Sequence, residues 1–460
     1  MMDLNVVILA AGKGTRMKSR LPKVLQPLAK KPLLAHVLST SIQLNAHKVI
    51  VVYGHGGDRV KTEIARHFPA APIHWVEQSE QLGTGHAVQQ ALDLLETNTR
   101  TLILYGDVPL ISEATLSRFL NEVQPGECGV ITVKMDDPTG YGRIVRDHSG
   151  VVREIVEEKD AGKEIRKIEE VNTGIMLADS IDLQQWVPTI ENKNAQGEYY
   201  LTDLVRISND HEVPVIGCRV KDPIEVEGVN DKRQLAKLER MLQKHLADRL
   251  LVAGATLADP ERIDIRGDVE VGQDCFIDVN TIFEGTNRLG DNVQIGPNCL
   301  IQNSVIGSNS VIKANTVLEN VVVGEACDIG PYARLRPGTQ LADQVKIGNF
   351  VETKNIRMDE GSKANHLTYL GDSVIGKAVN IGAGTITCNY DGANKHQTVI
   401  GDQAFIGSNC SLVAPVNIGA GATVGAGSTI SKEAKEHALT VTRAKQITVD
   451  NWTRPIKEPK

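Results

Sequence analysis

From Ile400 to Ile430 a large apolar residue returns every six positions: Ile400, Ile406, Leu412, Ile418, Val424 and Ile430. Gly401, Gly407, Gly419 and Gly425 follow four of them at once. A small residue comes four places later: Ala404, Cys410, Val416, Ala422, Ser428. A period of six matches neither a lone helix nor a pleated strand, and points to a solenoid of stacked repeats. The register extends back through Ile265, Val271, Ile277, Phe283, Leu289, Ile295 and Ile301, and through Val323, Ile329, Leu335, Leu341 and Ile347.

Each hexapeptide then supplies a short strand and a tight turn, its large residue inward and its small one near the corner. Coils that hydrogen-bond to one another leave free sheet edges only at the two ends. Val, Ile and Thr suit the flat faces, and Gly, Asn and Asp supply the turns. The pattern resembles the hexapeptide-repeat acyltransferases. That resemblance, rather than the spacing, implies a left-handed parallel β-helix with three hexapeptides per coil.

A chain of 460 residues is too long for one ordinary core. The formal net charge of −7, without a long basic run, argues against nonspecific nucleic-acid binding. No apolar stretch approaches the roughly 20 residues that span a bilayer. Met1 to Ala10 runs into a strand without a signal-peptide cleavage region. Seven cysteines do not make a disulfide scaffold at this size. Four of them, Cys275, Cys299, Cys327 and Cys410, fall on the small-residue position of the hexapeptide. A cytoplasmic protein without a membrane partner is expected.

The first half reads differently. Val6–Ala11, Lys48–Tyr53, Ile73–Val76 and Thr101–Tyr105 are apolar runs of buried parallel strands, separated by helical patterns at Leu33–Leu44 and His86–Leu95. Such alternation gives a doubly wound, Rossmann-like α/β domain that binds ligands beyond the carboxyl ends of its strands. The first strand, ending at Leu9, Ala10 and Ala11, leads into Gly12-Lys-Gly-Thr-Arg-Met17 and then Leu21-Pro-Lys23. Glycines let backbone N–H groups approach phosphate, and Lys13, Arg16 and Lys23 can neutralise it. Neither a Walker A loop nor a dinucleotide fingerprint is present.

The full string resembles the sugar-phosphate nucleotidyltransferases, in which this loop holds a nucleoside triphosphate. Further segments follow in that family's order. Gln78-Ser-Glu-Gln-Leu-Gly-Thr-Gly-His86 resembles a uracil-reading loop, with Gln78, Gly83 and Thr84 as contacts. Tyr105-Gly106-Asp107 places a carboxylate directly after a strand. Gly140-Tyr-Gly142-Arg143, Glu157, Asn172-Thr-Gly174 and Gln196–Asp203 resemble the sugar-binding half, and Asn230 matches a second metal ligand. The resemblance implies Mg²⁺ on Asp107 and Asn230, UTP as nucleotide, and Arg16 and Lys23 as catalytic charge stabilisers.

Leu235, Leu238, Leu242, Leu246 and Leu250 follow helical spacing, with Asp231 as cap and Gly254 as stop, and read as a linker helix. The expected domains are 1–230, a linker over 231–253, and a β-helix over 254–460. Within the solenoid, Ile301 to Ile306 and Leu318 to Val323 are slips of one residue, while Lys354–Leu370 and Thr387–Ile400 read as longer breaks. Interruptions of a regular scaffold are where function concentrates. The first break, read as a loop, holds His366; the second opens with Gly384-Thr-Ile-Thr-Cys-Asn-Tyr-Asp-Gly392.

Arg336, Lys354, His366, Tyr369, Asn380, Asn389 and Tyr390 together resemble the acetyltransferase half of the bacterial bifunctional uridyltransferase/acetyltransferases, and the likeness covers both halves in order. It implies that Arg336 and Lys354 bind the sugar phosphate, that Tyr369 and Asn380 place the sugar, and that His366 is the general base. Ala383, Asn389, Tyr390, Ser408, Ala426 and Arg443 would contact acetyl-CoA. Asn365, before His366, departs from the smaller residue common there. The implied product, UDP-N-acetylglucosamine, feeds peptidoglycan and lipopolysaccharide synthesis, and the implied assembly is a homotrimer. Two other readings stay open: a single nucleotidyltransferase whose β-helix only oligomerises, and a structural or surface-binding solenoid.

Overall fold

The structure, a computed structural model, describes residues 2–54 and 56–457. It divides into two compact units, Met1–Leu242 and Gln243–Lys460. Among the described residues no helix is long and apolar enough to cross a membrane.

The first unit is built on a twisted sheet. Asp3–Ala10 lies between Thr99–Tyr105 and Lys48–Tyr53, parallel to both, and Ile73–Glu77 extends the parallel edge. On the other side Glu170–Asp179 runs antiparallel to Thr99–Tyr105, followed by Cys128–Lys134 and Val215–Arg219. Val6, Val7, Ile8, Ile50, Val51, Leu102, Ile103 and Leu104 are fully buried, because helices or loops cover both faces. The expected strands are present. Leu33–Gln43 forms a helix as its spacing predicts, but the pattern at His86–Leu95 splits into a helix over Thr84–Gln89 and a 3-10 turn over Leu92–Leu94.

The helix Lys232–Val252 starts where Asp231 Oδ1 accepts from the backbone N–H of Arg233 (2.8 Å) and Gln234 (2.9 Å), and it stops before Gly254 at φ +103°. Leu238 is buried with Met17, Leu28, Leu33 and Val229 of the first unit. Ala247 and Leu250 belong to the core of the second.

That second unit is a parallel β-helix. Ile277 pairs with Ile295, Ile295 with Ile312, Ile312 with Ile329 and Ile329 with Ile347, each one coil on. The six-residue positions form one continuous apolar core, and the small residues Ala404, Cys410, Val416, Ala422 and Ser428 are all buried at its corners. The glycine that follows four of these large residues has a steric origin. A Cβ on Gly407 would lie 2.5 Å from Ala426 N, so coils stack this closely only where the side chain is missing. All seven cysteines are free.

The two breaks turn out to differ in kind. Lys354–Leu370 is no loop. Glu352–Met358, Lys363–His366 and Tyr369–Ile375 are strands in register with the coils on either side. The inward places are simply filled by Thr353, Met358 and Ala364 in place of Ile or Leu, which hid the repeat. Thr353 can be buried because its hydroxyl meets that of Thr339 at 2.9 Å. The second break is real: between the strands Ile386–Cys388 and Thr398–Ile400 the chain leaves the coil and returns, closed by a bridge between Tyr390 and Lys395.

Candidate active sites

In the first unit Leu9, Ala10, Ala11 and Gly12 run off the central strand into a cleft of about 280 Å³, lined also by Lys23, Gln78, Gln81, Gly83, Thr84, Tyr105, Asp107 and Glu198. Nothing lies within 4 Å of where a Gly12 Cβ would be, so the loop backbone is open to a ligand there. Gly14 is left-handed (φ +59°), and a Cβ on it would come within 2.6 Å of Lys23 Cβ. The glycine therefore lets the loop fold down onto the lysine.

Two backbone hydrogen bonds assemble the charged end of the cleft. Gly106 N donates to Leu9 O (2.9 Å), and Val229 N donates to Asp107 O (3.0 Å), which brings Asn230 beside Asp107. The Lys23 ammonium donates to the Asp107 carboxylate and to Asn230 Oδ1 (3.3 Å), and Arg16 Nη2 donates to the same Asn230 oxygen at 3.0 Å. Four of the residues singled out from sequence thus meet at one point. At the other end Gln78 Nε2 donates to Gly83 O (3.0 Å), and Leu201 N donates to Thr84 Oγ1 (3.1 Å). Gly83 has φ +119°, and a Cβ there would meet Tyr199 O at 2.5 Å.

Gly142, Glu157 and Asn172 form a third group. Asn172 N donates to Gly142 O (2.8 Å), and Thr202 Oγ1 donates to Glu157 Oε1 (3.2 Å). Burial raises the Glu157 carboxyl above its ordinary range. The Tyr105 phenol, buried beside Glu157 and Asp107, is pushed up as well, first by burial and then by the two carboxylates. Among the described residues no cluster of three or more His, Cys, Asp or Glu could hold a metal. One carboxylate and one amide oxygen, Asp107 and Asn230, nevertheless suit Mg²⁺, which takes one or two protein oxygens and fills its shell with water and phosphate.

In the second unit the site is laid out by coil register. Asn349 pairs with His366, whose ring is exposed at a strand end. Gly384 N donates to Leu367 O (3.1 Å), which sets Ala383 beside His366. Asn409 N donates to Ala383 O (2.7 Å) and Gly427 N to Ser408 O (2.7 Å), so Ala383, Ser408 and Ala426 stack in one column. A Cβ on Gly427 would lie 3.7 Å from Arg443 Cδ, so Arg443 lies against the end of that column. Asn380 pairs with Lys363 on the coil of His366.

Across the same coils lie the cations. Arg336 N bonds Thr353 O and Lys354 pairs with Gly371. Arg336 Nη1 is held by Glu352 (2.8 Å). The Lys395 ammonium, and after it the Arg336 guanidinium, hold Lys354 below the usual lysine range. Lys395 was not singled out from sequence, although it lies in the same extruded segment as Asn389 and Tyr390. A Cβ on Gly371 would come within 2.5 Å of Tyr369 Oη and 2.8 Å of Asn389 Nδ2, so both side chains share the space this glycine leaves.

A nucleotide-binding α/β unit with a carboxylate–lysine–asparagine cluster, followed by a β-helix with a histidine column and a cation pocket, defines a sugar nucleotidyltransferase joined to a hexapeptide-repeat transferase. Comparison agrees. Residues 6–172 match the MobA-like NTP transferase domain, 261–357 the GMPPB C-terminal domain, and 397–432 the bacterial transferase hexapeptide (six repeats). The chain is 54% identical to the bifunctional protein GlmU of Marinobacter nauticus, over 99% of its own length and 100% of the relative's. It is 55% identical to that of Acinetobacter baumannii (99% of each) and 52% to that of Cupriavidus pinatubonensis (99% and 100%). The chain belongs to the GlmU family of bifunctional proteins.

Proposed function

We propose that the chain makes UDP-N-acetylglucosamine in two steps: acetyl transfer from acetyl-CoA to glucosamine 1-phosphate, then uridylyl transfer from UTP to the acetylated sugar phosphate with release of pyrophosphate. The observation that carries the first step is the histidine column, His366, Ala383, Ser408 and Ala426, set on the same coils as Arg336, Lys354 and Lys395. A non-catalytic solenoid has no use for three mutually repelling cations. A phosphate dianion relieves that repulsion.

In the acetyl-transfer site Arg336, Lys354 and Lys395 bind the sugar phosphate, and Tyr369 and Asn380 place the ring. His366 takes a proton from the sugar amine as its nitrogen attacks the thioester carbon. The C–S bond then breaks and CoA leaves as the thiolate. Ala383, Ser408, Ala426 and Arg443 line the path of the CoA arm, with Asn389 and Tyr390 above it.

In the uridylyl-transfer site the sugar-phosphate oxygen attacks the α-phosphorus of UTP. Gly12 offers its backbone to the triphosphate, Gln78, Gly83 and Thr84 meet the base, and Gly142, Glu157 and Asn172 hold the sugar. Arg16 and Lys23 offset the charge that builds on the phosphoryl oxygens. Asp107 and Asn230 would hold Mg²⁺, which would supply positive charge to offset that of the phosphates.

A cytoplasmic homotrimer fits this reading. At one corner of the β-helix the left-handed position is Asn298, Asn315, Gly384, Asn409 and Gly427 on successive coils, but Tyr332, Phe350 and Leu367 between them. These three are 51%, 56% and 64% exposed, and left-handed backbone costs a side chain of this kind roughly 1–2 kcal/mol. A stripe of that composition suits contact with neighbouring copies. The test of the two-step reading is the full chain supplied with glucosamine 1-phosphate and acetyl-CoA, with wild type and His366→Ala assayed for free CoA thiol. Absence of thiol release by the wild type would leave only the single-activity reading, and release by the histidine variant at the native rate would remove His366 as the general base.

A further inference from the structure

Another corner of the β-helix carries a second ladder of left-handed residues, in which Gly285 and Gly338 join Asn303 (φ 45°), Asn320 (52°), Asn355 (50°) and Asp372 (45°). Asparagine is the ordinary occupant, since its side chain tolerates this backbone and bonds along the stack. Among these, Asp372 is the carboxylate. Its carboxylate accepts from Asn355 Nδ2 on one side (2.6 Å) and from Asn389 Nδ2 on the other. Both neighbours present amide N–H groups, so only a side chain that accepts through both oxygens satisfies the two at once.

Each neighbour carries part of the acetyl-transfer site. Asn355 directly follows Lys354. Asn389 is the base of the extruded segment, where its carbonyl accepts from His396 N (2.8 Å) and closes the loop that bears Tyr390 and Lys395. Beyond that base the loop is tied to itself. Asp391 accepts from Asn394 N (2.6 Å), Ala393 N (2.8 Å) and His396 Nε2 (2.7 Å), and Tyr390 Oη donates to Gly392 O (2.6 Å). The segment therefore behaves as one body. Among the side-chain hydrogen bonds of the described residues, Asn389 Nδ2 to Asp372 is what joins that body to the preceding coil.

We infer that Asp372 is a positioning residue for acetyl transfer: its carboxylate pins the 389–397 loop to the coil of Lys354, so that Lys395 completes the phosphate pocket and Tyr390 stands at the CoA arm. This rests on the function proposed above. Asp372 reaches the substrates only through Asn355 and Asn389. Replacing it by Asn leaves one oxygen for Asn355 and turns an N–H toward the N–H of Asn389. The ladder keeps a residue it uses on three other coils, so the fold survives.

The experiment compares wild type, Asp372→Asn and the double variant Asp372→Asn/Asn389→Asp, in which donor and acceptor are exchanged. Hydrogen exchange over 389–397 reads the loop without any activity assay. Kinetics with glucosamine 1-phosphate and acetyl-CoA read the site. Expected are faster exchange confined to 389–397 in the single variant, a rise in KM for both substrates of about tenfold with a smaller change in kcat, and slow exchange again in the double variant. Unchanged exchange in the single variant, or faster exchange with both KM values unmoved, overturns the inference. If His366→Ala retains full acetyl transfer, the site reading itself fails, and the exchange arm still decides whether Asp372 holds the loop.

Discussion

Gly384 N donates to Leu367 O across adjacent coils at 3.1 Å, and that one hydrogen bond puts His366 next to Ala383. The proposed general base and the proposed wall of the CoA path are thereby set by ladder register rather than by a loop. A rigid ladder holds such a pair within the tolerance that proton transfer demands.

His366→Ala should cut acetyl transfer by about 10²–10⁴-fold, the usual worth of a positioned general base. Uridylyl transfer by the same preparation should be unchanged. Thiol release and pyrophosphate release, measured side by side, check both halves of the statement.

Asp107→Ala should abolish pyrophosphate release from UTP while leaving acetyl transfer intact. Asp107 is the only carboxylate in contact with Lys23 among the described ion pairs, so its loss also frees that ammonium. A Mg²⁺ titration of Asp107→Asn should show a raised metal requirement. A native rate at low Mg²⁺ would rule out the metal role.

Gly407→Ala forces a Cβ to 2.5 Å from Ala426 N and 2.8 Å from Val424 O. Both neighbours are backbone and cannot rotate away. The β-helix should lose about 1–3 kcal/mol in denaturant unfolding. If Ala426 lies on the CoA path as proposed, KM for acetyl-CoA should rise before global stability fails.

His36 supplies a pH prediction. Burial, opposed by its hydrogen bond to Leu28 O (3.0 Å) and aided by Lys31, lowers the imidazole from 6.5 to about 4. The unfolded chain therefore binds more protons than the folded one between those values, and stability rises with pH across that window. The contribution is complete above pH 6.5 and is lost as pH falls toward 4, by about 3 kcal/mol. His36→Gln should flatten the denaturation midpoint of the first unit between about pH 6.5 and about pH 4.5, relative to wild type.

The two halves of the chain were legible in sequence to different degrees. Buried parallel strands such as Val6–Ala11 announce themselves by continuous apolar runs, and the solenoid by its period of six. The contacts among Lys23, Asp107, Asn230 and Arg16 could be anticipated only as a family likeness, because residues far apart in sequence meet there through sheet topology. The stretch from Lys354 to Leu370 misled for a chemical reason. Thr353 and Ala364 sit inward yet lack the size that marks a core position, so an unbroken coil looked like a loop. Lys395 and Asp372 escaped notice because a lone lysine or aspartate in a polar turn carries no pattern of its own. Their roles come from the residues stacked one coil away.

The detour between Cys388 and Thr398 spends chain without adding height, since Ile381 still pairs directly with Ile406. A coil can therefore absorb a long excursion at a corner provided the inward residues on each side stay in step. It follows that the scaffold and the reactive segment are separable by design. Coils could be added toward either end without shifting the excursion relative to His366, whereas moving the excursion by one coil would dismantle the site while the solenoid folded as before.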